Sequence, residues 1–454
     1  MAARRVIVVG AGFAGLEAAR RLAAGGCEVT LLERGAAAGG RARPPAPGGG
    51  AGAAEAQAVP DPAAHVVRPH APHLALLLRG LGLGASLEIW DTNALTLAAP
   101  GGPVAIDPSR RAGIARIPGV GLRGAWRVPR FGRLLGRFRD LLDPASPERG
   151  ARLDDRSAAD FGRLYFGAAA QDAWLDPLLR HAAQQEAAAA SRLLVFLEPG
   201  LAPRGGFASL AGGPSALAEA AAAALPTHFG VEALGLAAAP DRTLRLRCLR
   251  RSATGETPPV DAVVLALPPA EALRVAGPLL SDAERDVLGG VRIGAALSVA
   301  LALRAPLGAG WRRAVVPSGV EARLVALAHE AGATPGAPGG TVVLVASSCA
   351  AEVYAASADD VVAKELVAAA ERLVPGLAGR LASAQVQRWP LGLPRFEVGA
   401  FRAIGRLQRV QRDRRSLGRR LYFAGDWLVA PSLEGALASG ARAAADVLED
   451  LARR

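Results

Sequence analysis

Three glycines, Gly10, Gly12 and Gly15, punctuate the stretch Val6-Ile-Val-Val-Gly-Ala-Gly-Phe-Ala-Gly15 at spacings that suit a pyrophosphate. Gly10 permits a tight turn, Gly12 lets backbone approach a phosphate, and Gly15 allows a helix to pack closely on a strand. The helix that opens at Phe13 and Ala14 then turns its positive amino terminus toward the anion. Glu33 closes the next apolar run, Glu28-Val-Thr-Leu-Leu, where an acid can accept hydrogen bonds from adenosine ribose hydroxyls. The same charge disfavours a 2′-phosphate, so NADP is not expected, and Arg34 joins Glu33 as a candidate cofactor contact. A second group lies near the other end, in Leu421-Tyr-Phe-Ala-Gly-Asp426 and Ser432-Leu-Glu-Gly-Ala436. There Gly425 permits backbone approach and Asp426 suits a ribityl hydroxyl, while Glu434, Gly435 and Ala436 open a helix that Ser432 can cap. The free N–H groups of Gly435 and Ala436 are expected to face the N1/O2 edge of a flavin, stabilising the negative charge of its reduced form. A glycine turn alone specifies only a dinucleotide. Its pairing with a distant Ala-Gly-Asp and a helix start points to FAD.

The elements that must hold these groups follow from pattern. Val6 to Val9 is the apolar, β-branched run of a buried parallel strand, Leu16 to Ala24 has helical spacing, and Leu421 to Phe423 is a short apolar strand. Gly213 to Leu225 reads as a helix that packs rather than reacts. Ala358 to Leu373 is an amphipathic helix with Lys364 on its wet face. Residues 42 to 64 are rich in Pro and Gly and read as a loop without regular structure.

Composition sets outer limits. At 454 residues with 51% apolar content, two interleaved domains with ample cores are expected. The net charge of +12 would ordinarily raise nucleic acid or an anionic membrane as partners. Lys364 is the only lysine, however, and arginine amid abundant Ala, Gly and Pro is what a GC-rich coding sequence produces. No zinc spacing or aromatic-interleaved basic stripe supports nucleic-acid binding. Cys27, Cys248 and Cys349 are scattered and odd in number, which argues against a disulfide framework and for a cytoplasmic setting. Arg4-Arg5 precedes only four apolar residues before the glycine turn, too few for a signal peptide, and no stretch suits a membrane span. Trp126 to Leu142 interleaves Arg with Trp, Phe and Leu, which fits either an interfacial helix on the inner face of the cell membrane or a helix covering a substrate tunnel.

Gly39-Gly40-Arg41 follows Glu33 closely, and with the motifs above it makes the chain resemble the flavin-containing amine oxidase superfamily, in its protoporphyrinogen oxidase, phytoene desaturase and hydroxysqualene dehydroxylase branch. In that group the Gly-Gly-Arg brings Gly40 and the Arg41 guanidinium onto the FAD pyrophosphate. Val260-Asp-Ala-Val-Val-Leu-Ala-Leu-Pro268 is similar to the strand returning to the FAD domain. Thr227 to Val231 is similar to the strand whose backbone meets adenine, which assigns that contact to Val231. Trp389-Pro-Leu-Gly-Leu-Pro394 is similar to the segment preceding the last flavin strand, and Arg156 to Gly162 and Asp176 to Arg180 are weakly similar to a helical cap.

The resemblance implies an α/β fold: a Rossmann-like, glutathione-reductase-like FAD-binding domain interleaved with an α+β substrate domain bearing a helical cap. FAD-binding parts are expected at 1–64, 201–270 and 396–454, with substrate-domain parts at 65–200 and 271–395. Relatives carry Asp-x-Gly-x-His; here Asp61-Pro-Ala-Ala-His65 has Ala63 for the glycine, leaving His65 as the candidate catalytic residue beside a structural reading of the same histidine. Amine oxidases of the group place a lysine beside flavin N5 from the middle of the substrate domain, and this chain has none there. It also lacks a carboxyl-terminal cysteine suited to covalent attachment, so FAD is expected to be noncovalent. The leading expectation is an enzyme that takes hydride from a C–H bond of an apolar small molecule, of isoprenoid, carotenoid or porphyrinogen type, with O2 or a quinone as electron acceptor. Oxidation of amines or amino acids, and a flavin-binding subunit without turnover, are the alternatives.

Overall fold

The computed structural model describes residues 4–43, 67, 71–89, 95–98, 103–106, 111–197, 208–330 and 337–453. Asp61, Ala63 and His65 therefore lie outside the described residues.

A five-stranded parallel sheet runs in the order Leu421–Phe423, Ala262–Leu265, Arg5–Val9, Glu28–Glu33, Thr227–Phe229. Val6 to Val9 pair in register with Ala262 to Leu265 on one side and with Val29 to Leu32 on the other. These strands are almost continuously apolar because both faces are covered, one by helices and the other by side chains of Val231–Ala238 and Leu244–Arg250. On one face the helix Phe13–Ala24 packs against Leu433–Ala452. Their backbones touch at Gly440, where a Cβ would lie 2.1 Å from the Ala14 carbonyl oxygen, so only glycine fits. The expected single strand at Thr227 to Val231 is broken by Gly230, whose φ of +67° ends Thr227–Phe229 and starts Val231–Ala238 in a separate three-stranded sheet.

A second sheet of seven strands begins at the edge strand Leu381–Pro394 and continues through Ile293–Leu303, Thr341–Ala346 and Leu324–Glu330, all antiparallel neighbours. Side chains alternate across it. Leu297, Val299, Leu301, Leu327 and Leu344 pack on the helix Asp359–Glu371 through Val362 and Leu366. The opposite face carries the small residues Ala300, Ala326, Ala328, Val343 and Val345. Trp389 to Pro394, which precedes the last flavin strand in chain order, forms the end of the strand Leu381–Pro394 in this sheet.

The region 111–197 is helical and welded by aromatic rings: Phe131 stacks on Phe196 at 5.7 Å, and Phe166 meets Trp174 edge-on at 5.4 Å. Ser157 caps the helix Ala158–Phe166 by accepting a hydrogen bond from the Asp160 N–H. Buried Arg180, in Asp176–Ala183, donates to the carbonyls of Val316 (3.4 Å) and Ala322 (3.0 Å) and so ties these helices to the seven-stranded sheet. The single interfacial helix expected from Trp126 to Leu142 is not formed. Pro129 separates Gly121–Arg127 from Arg130–Phe138, because proline at an interior helical position removes a donor and crowds the preceding turn.

Candidate cofactor site and substrate pocket

The glycine turn is bare where a phosphate would need room. Gly10 takes φ +100° and donates its N–H to the Leu32 carbonyl at 2.7 Å. A Cβ there would meet the Ala266 oxygen at 2.5 Å, and one on Gly15 would lie 1.8 Å from the Gly10 oxygen. Gly12 is different: nothing lies within 4 Å of its missing Cβ, and it precedes Phe13–Ala24 as an N-cap with no side chain to occupy the first-turn donors of Phe13, Ala14 and Gly15. The Glu33 carboxylate accepts from the Ala11 N–H at 2.8 Å and the Gly35 N–H at 2.7 Å, which fixes the acid at the strand tip facing the turn. Arg34 beside it is exposed. The Gly230 N–H donates to the Gly35 carbonyl at 3.1 Å, bringing buried Val231 next to the loop after Glu33.

Arg41 joins the two ends of the chain. Gly39 donates its N–H to the Ala11 carbonyl at 2.9 Å, and Gly40 lies so near Gly12 that a Cβ on it would meet the Gly12 Cα at 3.3 Å. From that loop Arg41 reaches the Asp426 carboxylate at 2.5 Å and the Gly392 carbonyl at 2.7 Å. Asp426 is 6% exposed. Its neighbour Gly425 donates to the Ser439 Oγ at 3.0 Å, and a Cβ on Gly425 would strike the Trp427 indole nitrogen at 2.4 Å.

The helix start after Asp426 corrects two expectations, those for the Gly435 and Ala436 N–H groups. Ser432 is the N-cap, as anticipated, and its Oγ accepts from the Gly435 N–H at 3.0 Å. The Ala436 N–H donates to the Ser432 carbonyl, also at 3.0 Å. Neither donor is thus free for a flavin; capping uses the third helical N–H and the ordinary helix ladder uses the fourth, leaving those of Leu433 and Glu434 for a ligand. Gly435 is required by packing, since a Cβ would lie 2.2 Å from the Ala430 oxygen. The Glu434 carboxylate is likewise committed elsewhere. It accepts from the N–H groups of His73 (2.9 Å) and Leu74 (3.0 Å) and caps the helix Pro72–Gly80.

A pocket open to solvent lies beside Arg41 and Gly392, against the seven-stranded sheet. Ala296, Leu297, Val345, Leu393 and Trp389 wall it, with Ser298 and Gln184 as its neutral polar members. Sequence reasoning did not single out Ser298 or Gln184. A signal for Ser298 existed: it is the lone hydroxyl residue in the apolar strand Ile293–Leu303. Lys364 is exposed on the helix that covers the opposite face of that sheet.

The sequence profile of flavin containing amine oxidoreductases matches residues 13–448. The chain belongs to that family. This family member is an FAD-dependent oxidoreductase, and its residues fit the cofactor. The side-chain-free cradle at Gly12, the uncapped helix before it, the anchored Glu33 and the Arg41–Asp426 pair form a continuous surface of the polarity that FAD demands. Its fold is that of putrescine oxidase solved with putrescine bound (TM-score 0.74, 19% identity, covering 98% of this chain and 99% of that one). Cyclohexylamine oxidase from Brevibacterium oxydans is similar too (TM-score 0.72, 16% identity, 99% and 100% covered). So is a protoporphyrinogen oxidase-like protein from Exiguobacterium (TM-score 0.71, 19% identity, 99% of each chain covered). No curated protein matches the sequence significantly. Among the described residues of this family member, no helix is long and apolar enough to cross a membrane and no side-chain cluster suits a metal ion.

Proposed function

We propose that this flavoenzyme takes hydride from a C–H bond of a largely apolar small molecule, of the isoprenoid or tetrapyrrole-like kind. The observation that carries this reading is the wall of the pocket beside Arg41, made of Ala296, Leu297, Val345, Leu393 and Trp389 without a lysine or an uncommitted carboxylate. Bound FAD supplies a ring that accepts hydride. The chain's own residues hold that ring and keep the reacting bond dry: Glu33 and Arg41 grip the adenosine and pyrophosphate end, Asp426 and the first N–H groups of Leu433–Ala452 the flavin end, and the small residues of the sheet leave space for the substrate. FAD is held noncovalently, by residues 1–64, 201–270 and 396–454, while 65–200 and 271–395 shape the pocket; O2 or a quinone reoxidises it. Exposed Leu122, Trp126 and Leu164 beside Arg123, Arg127 and Arg163 support docking of the helical region on an anionic bilayer.

A second reading, oxidation of an amine, draws on the family and on the two amine oxidases whose fold the chain shares. Anaerobic titration separates them. Bleaching of the flavin band by squalene-, carotene- or porphyrinogen-type compounds and not by amines supports the first reading; bleaching by amines alone would replace it with the second.

A further inference from the structure

Ser298 pairs with Gln387 across one neighbouring strand and with Val345 across the other. Residues paired in this way project to the same face with Cβ atoms about 5 Å apart. Ala296 and Trp389 pair in the same fashion two residues along, and both line the pocket with Ser298 and Val345. Ser298 is 3% exposed and Gln387 5%, yet neither the Ser298 Oγ nor the Gln387 Oε1 has a hydrogen-bond partner. A third such atom, the Oε1 of Gln184, lies with Ser298 on the pocket wall, and Gln387 adjoins them only through its pairing with Ser298. Gln184 ends the helix Asp176–Ala183 in the left-handed conformation, φ 49°, which residues other than glycine seldom adopt. Leaving a buried polar atom unpaired is costly, so two of them on one pocket wall, with a third beside Ser298, point to a ligand that completes them.

We propose that Ser298 and Gln184, with Gln387 paired to Ser298 across the strands, form an uncharged anchor for a hydroxyl group on the otherwise apolar substrate. This rests on the reading of that pocket as the substrate site. The chemistry selects the group. A hydroxyl carries one donor and accepting lone pairs, so it can donate to the Gln184 Oε1 while accepting from the Ser298 O–H. A carbonyl only accepts and would leave the glutamine oxygens without a donor. An ammonium would find no free carboxylate in the pocket wall, because Asp426 is engaged by Arg41. A substrate carboxylate would find Arg41 already held by Asp426 and the Gly392 carbonyl.

The test uses the full-length protein, first assayed for bound flavin by its visible spectrum, then titrated with farnesol, farnesylamine and the hydroxyl-free hydrocarbon farnesene. Occupancy is followed by perturbation of the flavin band and by tryptophan fluorescence, which Trp389 in the pocket wall reports with or without flavin. Farnesol is expected to bind about tenfold more tightly than farnesene, the worth of one well-made hydrogen bond. Ser298→Ala and Gln387→Leu should each reduce that preference to within about twofold at unchanged flavin content, and Ser298→Thr should restore it. Equal affinity for farnesol and farnesene, signifying ordered water only at these atoms, would overturn the proposal. So would tighter binding of the amine, no farnesol binding by either signal, or an undiminished preference in both folded variants. Absence of flavin from the wild-type protein is a separate failure, that of the cofactor site, and leaves the fluorescence comparison to decide the anchor.

Discussion

Asp426 meets a single guanidinium, that of Arg41, although the two residues come from opposite ends of the sequence. Removing one partner of such a pair strips a charge-assisted hydrogen bond worth about 1.5–3 kcal/mol. Glu33→Ala and Asp426→Ala are each expected to lower FAD retention, measured as the flavin-to-protein absorbance ratio after gel filtration; full retention in both would refute the assigned roles. Lys364→Ala, on the far side of the substrate sheet, should leave the flavin spectrum and turnover unchanged. A folded but inactive Lys364 variant would favour the amine-oxidase reading. At this scale the sequence was legible wherever spacing carries chemistry: Gly10, Gly12, Gly15 and Glu33 occupy the positions their types demand. Ser298 and Gln387 were not legible, because their meaning comes from a cross-strand neighbour nearly ninety positions away, roughly the reach of a whole supersecondary unit rather than of a motif. The turn of the Glu434 carboxylate toward His73 and Leu74 was not legible either, since nothing local shows it.

Helix ends are the elements on which the site depends. Ser432→Ala should cost about 1 kcal/mol by leaving the Gly435 N–H without its acceptor, seen as a lowered melting temperature. An unchanged melting temperature would show that water replaces the cap. The capped start itself could be read from Ser-Leu-Glu-Gly, but which N–H groups remained for a ligand required the hydrogen-bond count along the first turn. Parallel strands such as Val6–Val9 announced themselves by apolar continuity. The antiparallel strand Leu381–Pro394 did not, as its exposed half reads as polar and only pairing with Ile293–Leu303 keeps it extended.

Across the whole molecule, arginine–carboxylate pairs brace elements far apart in sequence. Glu284 accepts from Arg414 at 2.9 Å and Arg419 at 2.5 Å, locking Asp282–Gly290 to the chain just before the last flavin strand. Glu321 binds Arg323 at 3.0 Å and also Arg372. Burial pushes the Glu321 carboxyl upward, but hydrogen bonds from Arg323 and Arg372 outweigh it and hold it at about 2. An unfolded glutamate titrates near 4.3. The folded value is the lower one, so this group's stabilisation is complete above roughly pH 4.3 and fades as pH falls toward 2. Glu321→Gln should therefore flatten the loss of melting temperature between about pH 4 and pH 2, and an acid limb of unaltered slope would contradict this. Such braces employ arginines, but the excess of +12 is what remains once every carboxylate is counted.

The parallel sheet sets Ala262–Leu265 between Arg5–Val9 and Leu421–Phe423. On the ribosome the first strand emerges with its glycine turn complete, yet the strand carrying Asp426 behind it is among the last segments made. Until it is made, the outer edge of Ala262–Leu265 has no neighbouring strand and stays open to aggregation. Cofactor capture is thus a terminal event of biosynthesis, and a nascent chain arrested before residue 421 has no means of retaining the vitamin-derived group that its amino terminus is shaped to receive.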